Sequence, residues 1–242
     1  MKKLESVWFE FAGARNTAKG VRLLSLPERG HPAERGELVQ AAGRDGFLWA
    51  ADGGYEPLTV RVQCQTGDDA DVSAIGAWLR GAGALRFSDD PQRFYRARIR
   101  RGFSYTEAVR RFVNRNFTAV FDCQPFRYHV EAEGGGDAEI TASPHTLTNP
   151  GTYKSAPRLA IEGTGTVTLT IGTQVMQLTD LEDGVIIDTE LCECFDLTGS
   201  MLLNSKVTLL DDSFPVLAPG ANIVSWTGAV TKVTVEPRWR DL

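Results

Sequence analysis

Few residues of this 242-residue chain are of a type and spacing that could do chemistry. The three histidines are His31, His129 and His145. None sits in a hydrolase elbow or an HxxxH zinc motif, and no G-x-S-x-G occurs. Each reads as a satisfied or solvent-facing side chain. His129 and His145 bracket a glycine-rich stretch, which is a poor scaffold for catalysis. Cys192 and Cys194 form a C-x-C, and on a strand that period places both thiols on one face. Zinc needs two more ligands at suitable spacing, whereas Cys64 and Cys123 fall on other strands of a different domain. The pair therefore reads as two small core residues. Asp180, Glu182, Asp183, Asp188 and Glu190 gather around LEDG without the ligand series of an EF-hand. They read as a solvated hairpin, followed by a strand, IIDTE, with outward polar residues. The expectation is no catalytic residue, no metal and no cofactor.

The arginines are harder to dismiss. Eight lie between Arg93 and Arg115, and Arg96, Arg98 and Arg100 share one strand face with Ala97 and Ile99 opposite. Phe94, Tyr95, Phe103 and Tyr105 interleave rings that can stack bases, so phosphate binding has to be weighed. The sequence pI of about 5.3 and the lack of a nucleic-acid motif weigh against it. A subunit interface explains the same stripe, because the planar guanidinium suits interface ion pairs. A merely solvated strand face explains it equally well. Trp226 and Tyr153 are candidate glycan-stacking aromatics, with a core role the leading alternative for Trp226, which alternates with Val224.

The elements that must position these residues are mostly strands. LTVRVQC (58–64), FTAVFDC (117–123) and TVTLTIG (166–172) alternate apolar and polar residues, as do the segments around Ile223 and Val233. DVSAIGAWLRG breaks that period and predicts one helix from about 72 to 81, capped by Asp71 or Ser73. TEAVRRFVN suits a helical turn, a strand or an ordered loop. Pro125 is expected to end strand pairing. RNTAKG and PERGHPAERGE read as loops or an arm. EAEGGGDAE, with almost nothing to bury, reads as a linker. The domains expected are 1–130, carrying the helix, a linker at 131–141, and an all-β sandwich at 142–242.

Charge follows the same division. Residues 1–130 hold 20 Lys+Arg against 15 Asp+Glu, and residues 131–242 hold 6 against 16, which gives +5 and −10. Such a split suggests two domains in different surroundings, or a basic half meeting an acidic half in an assembly. Hydrophobic residues are 42% and charged residues 24%, as in a soluble globular protein. No run is long enough to span a bilayer, and the start MKKLESVWFEF lacks the apolar region of a signal peptide. Four cysteines in a chain of this length are read as reduced thiols of a cytoplasmic product.

Several separated pieces occur in a recognisable order. They are GRDG (43–46), AWL (77–79), LRFSDDPQRFYRARI (85–99), FTAVFDCQPFRY (117–128) and NPGTYKSAPRLAIEGTG (149–165). IIDTE (186–190), FPVLAPGANIVSWTG (214–228) and PRWRDL (237–242) follow. From about residue 5 to the C-terminus the chain resembles the distal tail protein family of long, flexible-tailed bacteriophages. The resemblance implies a mainly β fold: an N-terminal β-sandwich or barrel-like domain with one α-helix, then a C-terminal galectin-like β-sandwich. It implies a hexameric ring closed by the first domain, at the hub of a tail tip assembled in the host cytoplasm. The partners it implies are the tail tube protein, the tail-associated or tip protein and receptor-binding proteins. DNA passes through the ring without stable nucleic-acid binding, and there is no membrane insertion. The second domain is compact, without the long insertions that carry accessory modules in some members. A galectin-like shape does not by itself confer sugar binding.

A closed ring needs a heterologous contact, one patch of a subunit against a different patch of the next. Edge strands or a β-hairpin of the first domain suit it, because pairing hides unpaired backbone groups. The expected interface residues are Arg44 and Asp45 in a loop at 36–47, with Arg96, Arg98 and Arg100. Two other functions compete with the structural hub. One is a carbohydrate-binding sandwich that aids host adsorption. The other is a glycosidase, which needs two carboxylates about 5–10 Å apart, and the acids here share no evident scaffold.

Overall fold

The computed structural model describes residues 7–67, 70–99, 105–106, 115–130 and 138–242. The chain is mainly β and divides into two compact units, one of residues up to Arg127 with Leu242, the other Tyr128–Asp241. The first unit contains β1 (Phe9–Phe11), β2 (Ala14–Arg15), β3 (Val21–Leu23), β4 (Glu34–Val39), β5 (Leu48–Tyr55) and β6 (Leu58–Thr66). Helix α1 (Val72–Trp78), β7 (Gly81–Phe87), β8 (Asp90–Ile99) and β9 (Tyr105–Thr106) follow, then β10 (Arg115–His129), which ends in the second unit. The second continues with β11 (Ala138–Ile140), β12 (His145–Asn149), β13 (Arg158–Ile171), β14 (Gln174–Leu181) and β15 (Gly184–Asp188). It ends with β16 (Glu193–Phe195), β17 (Val207–Leu209), β18 (Gly220–Glu236) and β19 (Arg240–Asp241).

In the first unit the strands run in the order β2-β1-β7-β8-β10-β6-β3. The alternating residues pack inward as their period demands: Val60, Val62 and Cys64 on β6 meet Phe117, Ala119 and Phe121 on β10 in one buried core. Asn16, in a 3-10 turn after β2, is fully buried. Its carboxamide oxygen accepts the Phe9 N–H at 2.9 Å, and its amide nitrogen donates to the Val21 carbonyl at 2.9 Å. One side chain thus joins β1, near one end of the strand order, to β3 at the other. The sheet therefore curls on itself into a barrel-like form.

Helix α1 seals that curl. Asp71 Oδ1 accepts the Ala74 N–H at 3.0 Å as its N-cap. Ile75 and Leu79 enter the core, and Trp78 stacks on Phe9 at 5.5 Å while donating its indole N–H to the Phe11 carbonyl at 2.9 Å. The helix stops at Trp78, short of the expected 81, because Leu79 turns out of helical backbone to lead into β7. Pro125 does not end β10. The β6 ladder stops at the Cys123–Leu58 pair, so Pro125 lies beyond it and its missing N–H costs that ladder nothing.

The second unit is built on two long strands. β18 pairs along the length of β13, but the register breaks between Glu162 and Gly163 and again between Thr164 and Thr168. Before the break β13 also pairs with β15, and after it with β14. β11 takes one end of β18 and β12 the other. The eight strands form one hydrogen-bonded network that the bend folds into two sheets, β11-β18-β13-β15-β16 and β12-β18-β13-β14-β17, sharing their central strands around a single core. The bend is a close approach of two backbones. A Cβ on Gly228 would run into the Thr166 carbonyl, and one on Gly163 into the Ala229 carbonyl. Ala138–Ile140 form a strand on this sandwich; residues 131–137 and the TEAVRRFVN residues 107–114 lie outside those described.

Candidate assembly interface

Among the described residues β4 and β5 pair with each other alone, as a two-stranded ribbon. The loop expected at 36–47 is therefore the end of one strand and the tip of a hairpin, and six residues of the PERGHPAERGE region and beyond, Glu34–Val39, are strand. Apart from Gly36, every residue from 34 to 53 is exposed. Leu38 stands opposite Trp49 and Val39 opposite Leu48, so both faces of the ribbon carry bare apolar side chains. Leu38 and Phe47 are each 61% exposed and Trp49 46%. Burying a side chain of that size is worth about 1.5–3 kcal/mol. Arg44 and Asp45 sit at the apex, where the Arg44 N–H donates to the Ala41 carbonyl at 3.2 Å. Lower down, Arg35 pairs with Asp52 across the strands. The Gly54 N–H and that guanidinium hold the Asp52 carboxyl below its ordinary value. At the base Tyr55 packs edge-on against Phe126 at 5.9 Å.

On β8, Arg96 and Arg98 point to the outer face, opposite buried Tyr95, Ala97 and Ile99. Their partners across β7 are Ala84 and Ala82, whose small side chains leave room along the arginine stems. Arg100 lies outside the described residues. Phe94 and Tyr95 are buried and do not offer rings for base stacking. Arg93 and Arg127 share the carboxylate of Asp90, at 3.4 and 3.3 Å. With Arg29, His31 and Asp89 they line a polar cavity of about 350 Å³ in the first unit. The hairpin and the β8 face thus belong to two different sheets of that unit.

The second unit holds the site the sequence misread. Asp188, expected to face outward on IIDTE, is buried. Burial pushes its carboxyl up, but the Arg238 guanidinium and the Leu191 and Glu190 N–H groups outweigh that and hold it below the usual range. Arg238 bonds Asp188 at 2.8 Å, Glu190 at 3.2 Å and Glu236 at 3.3 Å. Burial lowers the Arg238 pKa, and the Asp188 and Glu236 carboxylates more than reverse it. The signal was present as the arginine of the terminal PRW and the acids of IIDTE, but no spacing rule joins segments about 50 residues apart. His129 bonds Asp241 at 3.1 Å, and Asp241 also accepts the Thr152 N–H at 2.9 Å. His145 is exposed on β12.

Cys192 departs from the expected shared face with Cys194. It lies in the turn before β16 with a positive φ of 57° and is exposed, while Cys194 is buried. Burial pushes the Cys194 thiol up to about 11 and those of Cys64 and Cys123 to about 12. Among the described residues no three His, Cys, Asp or Glu side chains form a metal-holding group. Trp226 packs against the core of the second unit, and Tyr153 carries the Arg240 guanidinium 5.5 Å from its ring centre.

The fold has a solved counterpart. It matches the crystal structure of the SPP1 Dit (gp 19.1) protein, described as a paradigm of the hub adsorption apparatus in phages infecting Gram-positive bacteria. The TM-score is 0.72 over 95% of this chain and 98% of that one, at 15% sequence identity. No protein-family model matches the sequence, and no curated protein matches it. The chain thus has the Dit fold, a barrel-like unit with one α-helix among its described residues, followed by a β-sandwich.

Proposed function

We propose that this protein is a structural hub of a phage tail tip and not an enzyme. The observation that carries the reading is the end-to-end match to the SPP1 hub protein, in which both units of this chain take part. In this reading copies close into a ring, six in number, that joins the tail tube protein to the tail-associated or tip protein and leaves a channel for DNA. Receptor-binding proteins attach around it. The particle is built in the host cytoplasm, and the protein ends in the virion tail tip. A ring gives the exposed hairpin an occupant: a patch that is self-sufficient in no single copy is covered when each copy meets the next. Arg44 and Asp45 at the hairpin apex, and Arg96, Arg98 and Arg100 on β8, are the charged groups assigned to that contact.

No observation favours the glycan-binding alternative. Trp226 packs against the core and Tyr153 carries the Arg240 guanidinium, so both rings are engaged within the chain. The test is solution mass by light scattering coupled to size exclusion over a range of concentrations. A mass near 159 kDa, six times 26.5 kDa, is expected. A 26.5 kDa species at every concentration would overturn the self-closing ring.

A further inference from the structure

The strand order of the first unit has a gap. β6 is nine residues long, but β3 covers only Cys64–Thr66 of its outer edge. One more bond follows, from the Leu24 N–H to the Gln63 carbonyl at 2.9 Å, and then the chain leaves the sheet. Backbone groups of alternate residues in an antiparallel strand point to opposite edges. Because Gln63 points to the β3 side, Arg61 and Thr59 point there too, while Val60 and Val62 face β10. Among the described residues no backbone group pairs with Thr59 or Arg61 on that side. Beside them lies a cleft of about 560 Å³ between β6 and the segment that follows β3, lined by Leu26, Pro27, Glu28, Thr59 and Arg61.

We infer that this open half of β6 is the seat for β4 of a neighbouring copy, which completes the sheet as an added strand. The inference rests on the ring proposed above and names the acceptor for its hairpin. Length fits, since the open edge runs from Leu58 to Val62 and β4 has six residues whose outer edge meets no strand among the described residues. Chemistry fits as well. Arg61 in the cleft is matched by Glu34 on β4, and Leu26 and Pro27 by the exposed Leu38 of the same β4 face. Main-chain bonds supply the affinity of such an addition and the flanking side chains its register. The contact is heterologous, hairpin against edge, and so propagates around a ring.

The test uses the full chain with Cys192→Ser, which removes the exposed thiol. Glu37→Cys or Leu38→Cys is combined with Thr59→Cys, and Leu38→Cys with Leu210→Cys serves as control. After mild oxidation a non-reducing denaturing gel should show a ladder at multiples of the chain mass for the first two pairs and none for the control. A particle of ring mass that gives no ladder from either pair, or a disulfide closed within one chain, overturns this inference alone. A monomer by light scattering overturns the ring reading and this inference together. Arg61→Pro gives a second readout, because beyond the side chain it removes only an N–H aimed at the open edge. It should weaken assembly about tenfold while Arg61→Ala, which keeps the N–H, weakens it less. Equal effects from the two variants, each folded by circular dichroism, overturn strand addition in favour of a side-chain contact.

Discussion

The two units solve the problem of ending a sheet in opposite ways. In the first, the ends of the sheet are joined through one side chain, Asn16, and among the described residues closure is incomplete: a ribbon with two apolar faces stands outside the core and half of β6 has no outer neighbour. In the second, closure is covalent. The same two strands run through both sheets, and the C-terminal segment is held by Arg238 and three carboxylates. The first unit leaves a strand edge and a ribbon with bare apolar faces, features that suit a contact with another molecule, whereas the second pairs its long strands and its buried charges within itself.

The largest way to break this contrast is to attack the shared strands. Gly228→Val forces a Cβ into the Thr166 carbonyl at a φ of +100°, and a loss of more than about 4 kcal/mol is expected. Thermal unfolding should show the sandwich melting first, with the Asn16-closed unit retained. Next comes Arg238→Ala, which leaves buried Asp188 without its cation and should cost about 3 kcal/mol. This term has a pH signature. The Asp188 carboxyl lies lower in the folded state than in the unfolded one, so its contribution is fully present above the ordinary aspartate range. It disappears as pH falls through the depressed folded value. Urea midpoints of the parent should drop between pH 5 and pH 2 by more than those of Arg238→Ala; equal drops would discard the assignment.

Asn16→Ala tests the other side of the comparison. It orphans the Phe9 N–H and the Val21 carbonyl and should cost about 2 kcal/mol. Hydrogen exchange should quicken in β1 and β3 and stay unchanged in β13 and β18. Trp49→Ser should move stability by no more than about 0.5 kcal/mol, since the ring is largely in solvent, yet abolish the ring-mass species. The smallest expected effect is chemical. At pH 7 a thiol reagent should label Cys192 alone, because burial keeps the other three thiols protonated and out of reach.

Local pattern made the core legible. The two-residue period of 58–64, 117–123 and 166–172 named the inward residues, and the helical spacing of Val72, Ile75 and Trp78 named the helix. What pattern could not carry were contacts between segments far apart in the chain. Asp188 read as a solvent-facing acid because its cation arrives from residue 238, and Asn16 read as a loop residue because both strands it ties are fixed only in three dimensions. Cys192 was misplaced by a single residue of strand boundary, which was enough to turn it from core to surface. The hairpin was hidden for a different reason. Its apolar residues lack the one-sided alternation of a half-buried strand, because neither face has a core within its own chain.

The continuous passage of β13 and β18 through both sheets also decides how the molecule responds to force. Tension applied along those strands loads their shared ladder in shear, so many hydrogen bonds must fail together before either strand slides. Tension that peels β4 from β5 loads one rung at a time. The sandwich is therefore the stiff member of the chain and the ribbon the compliant one, and a pulling experiment should find the ribbon opening at low force long before the sandwich ruptures.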